Sequence, residues 1–393
     1  MKVILKRIIT GFFCAAFLAA LALGAVETKA VYGDFPLVWT DEENGGIYRT
    51  SDFHVEMPIQ ERVTVRGNVT LVLEDDTGLN MKKGIEIPAG SSLTIEGGPK
   101  GNGQLAITDI DYLYAGIGGS PEVDGGDVTI NGGELTFTGK HDHYCCIGSA
   151  SYQSFGLITI NGGTINISNE CNGYWSGMIG AGYSGNCAGV IINGGQIHTI
   201  ENKMSYGTII GAGTNGNVDR VVVNGGTLTL QQDDLHSGSM LGAGSSATCG
   251  SLEINGGTLT FCRIGGKGVT IGAGYGGTVG TLSIAEGLFL AASDDLMSVA
   301  PVDRSKWEKE NVFGLSYLAI GKCEEHQFSR GVCLYCGEAD PDYVPGSEGI
   351  FDLLSPAVWI VIALVIAAIA AGTVVLTVIL KKKKKNQKKG SGE

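Results

Sequence analysis

The chain has 393 residues, 63 of them glycine and only 9 proline, so a collagen-like repeat is excluded and a chain dense in turns is expected. Its net charge of −13 conceals a stronger asymmetry: between residues 31 and 355 there are 16 basic and 38 acidic side chains, a net −22. Such a surface repels phosphate backbones and excludes nucleic acid as a partner.

Residues 1–30 read as a secretory signal peptide. Lys2, Lys6 and Arg7 form a basic start, Ile8 to Leu23 is apolar apart from Thr10, and small residues up to Ala30 offer cleavage points. Cys14 follows Phe12 and Phe13, whereas a lipoprotein site needs small residues before the thiol, so lipid attachment is not expected there.

Residues 31–92 read as an N-terminal cap and the first coils of a solenoid. Val63 to Leu73 and Gly84 to Ile95 alternate apolar and polar residues between turn signals, at a shorter spacing than in the later coils. Residues 93–320 then carry a repeat of about 31 residues. Asn-Gly-Gly recurs at Asn131, Asn161, Asn193, Asn224 and Asn255, in steps of 30, 32, 31 and 31. A second motif begins at Ile117, Ile147, Ile179, Ile210, Leu241 and Ile271, each 14 positions before the next Asn or its equivalent. The constant offset fixes the length of half of every coil and leaves the variation to the segment after the Asn-Gly-Gly strand.

Period-two segments such as Val128-Thr-Ile130, Leu135-Thr-Phe137 and Leu252-Glu-Ile254 are strands. The predicted fold is therefore all-β, a right-handed parallel β-helix. Asn-Gly-Gly turns a corner, since glycine tolerates positive φ, and stacking aligns the asparagines into a ladder expected to satisfy buried corner backbone. The Gly-Ala-Gly stretches have no lysine after them and no strand-to-helix pattern, so they are packing elements and not phosphate loops.

These motifs, over roughly residues 60–290, resemble the glycine-rich β-helix surface proteins of Firmicutes often labelled carbohydrate-binding domain-containing proteins. The resemblance implies the right-handed parallel β-helix and, in some relatives, binding of acidic polysaccharide. It carries over no catalytic residue. The lyases and polygalacturonases on this fold cluster carboxylates on adjacent coils, and no matched column occurs in this chain.

A different column does recur. Tyr114 and Tyr144 stand three residues before the Ile-Gly motif, Trp175 and Tyr206 four before it, and the same variable segments supply Asp111, Asp142, Asn172 and Asp234. Aromatic faces suit stacking on sugar rings, and aromatics in successive coils also pack on one another. A non-catalytic polysaccharide-binding protein or adhesin, a bare structural stalk, and a polysaccharide lyase or hydrolase are the three functions this pattern allows, with the first favoured. The partner is then a polysaccharide, a host or a cell-wall glycan; an acidic one needs calcium to bridge it to the protein's carboxylates.

Residues 321–338 hold Cys323 and His326, then Cys333 and Cys336, a C-x2-H-x6-C-x2-C spacing. Two close ligand pairs can close a tetrahedral structural zinc site. A disulfide between Cys333 and Cys336, or a redox dithiol, is the alternative outside the cell. The segment resembles small Cys-x-x-His, Cys-x-x-Cys knuckles near the cell-wall end of Firmicutes surface proteins. The coil cysteines, Cys145, Cys146, Cys171, Cys187, Cys249 and Cys262, share no phase between neighbouring coils and are expected to be mostly free thiols.

After a linker, residues 339–356, Ala357 to Leu380 is free of charge for 24 positions, long enough for a transmembrane helix through membrane lipid. The basic tail, residues 381–393, opens with five lysines and stays cytoplasmic. The expected topology is single-pass in the cell membrane, ectodomain outside.

Overall fold

The computed structural model describes residues 35–342 apart from 54–57, 139–144, 169–174, 201–204, 295–298, 304–311, 324–325, 327, 330 and 334–335. The expected signal peptide, the transmembrane helix at 357–380 and the basic tail lie outside the described residues. Among those described, no helix is long and apolar enough to cross a membrane.

The alternating segments form strands that pair between coils instead of within them, so three parallel sheets wrap one core. Sheet 1 has nine strands, from Val38–Thr40 to Val269–Ala273; sheet 2 has nine, from Ile47–Arg49 to Thr278–Ile284. Sheet 3 stacks seven parallel strands, from Gly78–Met81 to Thr258–Gly266. The fold is a parallel β-helix, as the repeat predicts.

Register follows the second motif. Ile85, Ile117, Ile147, Ile179, Ile210, Leu241 and Ile271 are successive Cα partners along sheet 1 and all buried. Each such side chain contributes roughly 1.5–3 kcal/mol by leaving water, and a one-residue slip would expose a whole strand's set. The first full coil is shorter, because Val63 pairs with Ile85 only 22 positions later.

At the corner between sheets 2 and 3, the second glycine of each Asn-Gly-Gly motif takes φ between 80° and 91°. The asparagines form the expected ladder. Nδ2 of Asn161, Asn193, Asn224 and Asn255 donates to Oδ1 of the asparagine one coil below at 2.8, 2.8, 2.8 and 3.0 Å, and Asn131 donates to Glu96 Oε1 at 2.6 Å. The expectation that the ladder satisfies buried backbone is corrected. Its upper four amides are solvent-exposed and bond one another, while the corner N–H groups donate to carbonyls of the coil below, as Asn161 N does to Ile130 O at 2.7 Å.

Sheet 1 is bent in a way that periodicity does not reveal. Thr214 Oγ1 donates to Tyr206 O at 3.0 Å and Ser245 Oγ to Ser237 O at 2.9 Å, so residues eight apart on either side of one strand touch. Each coil here is a tight arc, which explains why all five residues of Gly177–Ala181, Thr208–Ala212 and Ser239–Ala243 are buried. The arcs nest, with the backbone of Gly211 lying directly against that of Gly242.

The N-terminal end is closed and the C-terminal end is covered along sheet 3, while Leu282, in register with the buried Leu252, is 37 % exposed on the last strand of sheet 2. Trp39, fully buried, stacks on Tyr48 and Phe53 at 5.2 and 6.0 Å and plugs the first coil. The parallel coils stop at Ile284, and Tyr317–Gly321 and Phe289–Ser293 add antiparallel strands to the edge of Thr258–Gly266.

Candidate functional sites

Because each sheet 1 arc brings its ends together, residues just before the Ile-Gly motif meet those just after Gly-Ala-Gly. Backbone bonds tie them: Thr214 N donates to Trp175 O at 2.6 Å and Ser245 N to Tyr206 O at 2.8 Å. An aromatic cluster collects at this corner. Trp175 and Tyr206 stack face to face, centroids 4.6 Å apart and 11° between planes. Tyr183 stands edge-on to Trp175 at 6.1 Å, and Tyr152 edge-on to Tyr183 at 5.4 Å. On the far side His236 lies 6.4 Å from Tyr206, with its Nδ1 3.4 Å from Asp234 Oδ1.

Of the residues singled out from sequence, the fold thus gathers Trp175, Tyr206 and Asp234. Tyr114 and Asp111 sit in an earlier coil with different partners. The Arg62 guanidinium lies 4.5 Å over the Tyr114 ring, its Nη1 donating to Ala115 O at 2.6 Å, and Lys83 Nζ is 3.9 Å from Asp111 Oδ2. Burial pushes Arg62 down to about 10, against the pull of Asp111 and Glu86, so it stays charged at neutral pH. Tyr144, Asp142 and Asn172 lie outside the described residues.

Tyr152 and Tyr183 escaped the sequence reading. Their signal was the tail of the second motif: Tyr183 and Tyr275 follow Gly-Ala-Gly directly, and Tyr152 stands one place later. Tyr152 is 60 % exposed and has φ +67°, at the turn position occupied by Ser184, Asn215, Ser246 and Gly276 in later coils. Small or amide residues suit the left-handed region; a bulky tyrosine there is strained.

The second cluster lies beyond the cap. Phe328–Ser329 pairs antiparallel with Val332–Cys333, Gly331 turning between them at φ +81°. This hairpin brings Cys333 towards Cys323 and His326, and the turn after it returns Cys336. The ligand atoms of Cys323, His326, Cys333 and Cys336 lie within 4.8 Å of one another and could hold a metal ion. Cys323 Sγ is 3.5 Å from both Cys333 Sγ and His326 Nδ1, and Cys336 Sγ is 3.3 Å from that nitrogen. The edges of a tetrahedron with metal–sulfur bonds of ~2.3 Å and metal–nitrogen bonds of ~2.0 Å are about 3.5–3.8 Å, so these three separations are close to those of a metal cage. A disulfide needs ~2.05 Å, and none joins these sulfurs. Burial and the neighbouring Cys333 and Cys336 push the Cys323 thiol up, an environment that a divalent cation would reverse.

In the coils, Cys145, Cys146, Cys187 and Cys249 are buried thiols; Cys171 lies outside the described residues. Burial pushes Cys187 and Cys249 up to about 12. They are inert packing groups. No family model matches the chain, and neither a curated protein nor a solved structure matches it.

Proposed function

We propose that this protein is a non-catalytic, cell-surface binder of polysaccharide, held to the membrane by residues 357–380 after its signal peptide is removed, with a right-handed β-helical ectodomain outside. The observation that carries this reading is Tyr152: an exposed ring kept in a strained backbone conformation where other coils use serine, asparagine or glycine. Strain retained at a surface position points to use. Tyr183 and Trp175 on the next coil and Tyr206 on the one after it extend the aromatic cluster across two further coils, a span of about 10 Å at ~4.8 Å per coil, or two sugar rings. The −22 ectodomain charge favours neutral glycans, or acidic ones bridged by calcium.

The resemblance to Firmicutes surface proteins agrees with this reading. We assign zinc to the Cys323, His326, Cys333 and Cys336 cluster: three thiolates and an imidazole fill a tetrahedral shell and leave no position for a reacting water, so the metal is structural. A stalk without ligand is the second reading, favoured by the mutual stacking of Trp175 and Tyr206.

The test is a glycan array probed with the full-length protein and with Tyr152→Asn. Asparagine occupies the equivalent position at Asn215, so the variant should melt at the same temperature or slightly higher. Its affinity for the glycans retained by the wild type should fall by about 1–3 kcal/mol, the effect of one lost aromatic anchor. Equal binding by both proteins would remove this site, and binding of nothing on the array would leave the stalk.

A further inference from the structure

The metal cluster has a neighbour whose geometry is as directed as that of the ligands. In His326 the nitrogen turned towards the sulfurs is Nδ1, 3.5 Å from Cys323 and 3.3 Å from Cys336. The other nitrogen, Nε2, lies 3.4 Å from Glu338 Oε2. An imidazole can offer Nδ1 as a lone pair only when Nε2 carries the proton, and a carboxylate at Nε2 selects that tautomer by accepting its hydrogen bond. Phe328 stacks against the ring at 5.4 Å and 15°, holding its plane.

Building on the metal reading above, we propose that Glu338 is the positioning residue of this site: its carboxylate holds His326 as the Nε2–H tautomer, directs Nδ1 at the metal, and thereby sets the metal affinity. The chain places Glu338 there independently of its side chain. Cys333 N donates to Glu338 O at 2.8 Å and Gly337 N to Cys333 O at 3.0 Å, so the backbone of the second ligand pair delivers residue 338 to the far side of the ring. A carboxylate that also adds negative charge beside three thiolates strengthens the hold on a dication. Because the side chain of Glu338 is 68 % exposed and the contact is 3.4 Å long, solvent weakens it, and the expected effect falls at the lower end for such outer carboxylates.

The same backbone bonds keep Glu338→Gln and Glu338→Ala folded, since neither uses the side chain. Full-length protein is titrated with Zn2+ alone against a chromophoric chelator. The wild type should take up one equivalent, Cys333→Ser should take up none, and both Glu338 variants should bind about tenfold more weakly. Long-range 1H–15N correlation on the loaded protein supplies a readout that a merely structural role would not move. It should show a slowly exchanging Nε2 proton on His326 that exchanges faster in Glu338→Ala. Wild-type affinity and unchanged exchange in both variants would overturn the role of Glu338 while leaving the metal site standing. A wild type that takes up no zinc would overturn the metal reading itself.

Discussion

Alanine at Gly211 and at Gly272 should destabilise the protein by different amounts, and the difference isolates the nesting of the sheet 1 arcs. The two glycines hold the same place two repeats apart, with Gly242 between them, and nearly the same conformation, φ +131° and +122°. Forcing a residue with a Cβ into that region costs about 1–3 kcal/mol at either site. The loss of unfolded-state freedom, worth roughly 0.4–1 kcal/mol in the opposite sense, is also shared. The surroundings differ. At Gly211 the new methyl would run into the carbonyl of Gly242, which is backbone and cannot rotate away, whereas at Gly272 nothing lies within 4 Å. Overpacking adds about 1–3 kcal/mol, so Gly211→Ala should be the more destabilising by that margin. Urea unfolding followed by circular dichroism, with the slope unchanged, reads the difference as a shift in midpoint. Equal losses would mean that glycine is needed only for its backbone angle, and the close approach of the arcs would carry no energy.

The asparagine ladder should show the same positional logic: Asn193→Ala severs two amide bonds and should cost about 1–2 kcal/mol, Asn255→Ala severs one and should cost about half that, measured by urea midpoint. The buried thiols make an alkaline prediction. Cys187 and Cys249 titrate near 12 in the fold and near 9 when unfolded, so the native state holds protons that the unfolded chain releases. Their contribution is complete below pH 9 and is lost as pH rises towards 12; Cys187→Ala with Cys249→Ala should flatten the fall in melting temperature over that window. A wild-type curve that is equally flat would show that these thiols do not matter.

How much of this could be read from the sequence depends on which interactions are local in the repeat. The sheet registers, the stacked isoleucines and the asparagine ladder follow from a period and an offset, because each residue's partner is its own counterpart one coil away. The arc in sheet 1 was not legible. It arises from glycine φ values and from bonds such as Ser245 N to Tyr206 O, which join different phases of the repeat in neighbouring coils. For that reason Trp175 and Tyr206 could be aligned with each other but not with Tyr183 and Tyr152. Tyr114 matched the pattern by spacing alone, yet its ring partner is Arg62, which stands two coils earlier along sheet 1. The metal cluster was legible because both ligand pairs are close in sequence, whereas Glu338 became visible only when the hairpin placed it behind His326.

The tyrosines of the aromatic corner are not required by the architecture, and this separates display from support. The position after Gly-Ala-Gly is Tyr183 and Tyr275 in two coils but Thr214 and Ser245 in the two between them. Thr214 and Ser245 close their arcs with hydroxyl bonds to Tyr206 O and Ser237 O. Both also make the backbone bond to the coil below, as does Tyr275 through its own N–H to Ser237 O at 2.7 Å. The arc therefore forms with a small hydroxyl or with a large ring, and a small hydroxyl does more for it. At the next position Tyr152 takes a left-handed conformation that Asn215 and Gly276 adopt with less strain. A chain under structural demands alone would place small residues in both rows. Tyr152 and Tyr275 face solvent, Tyr275 being 81 % exposed, and Tyr152 does so in a strained conformation, a placement that supports the proposed reading of these rings as a binding surface.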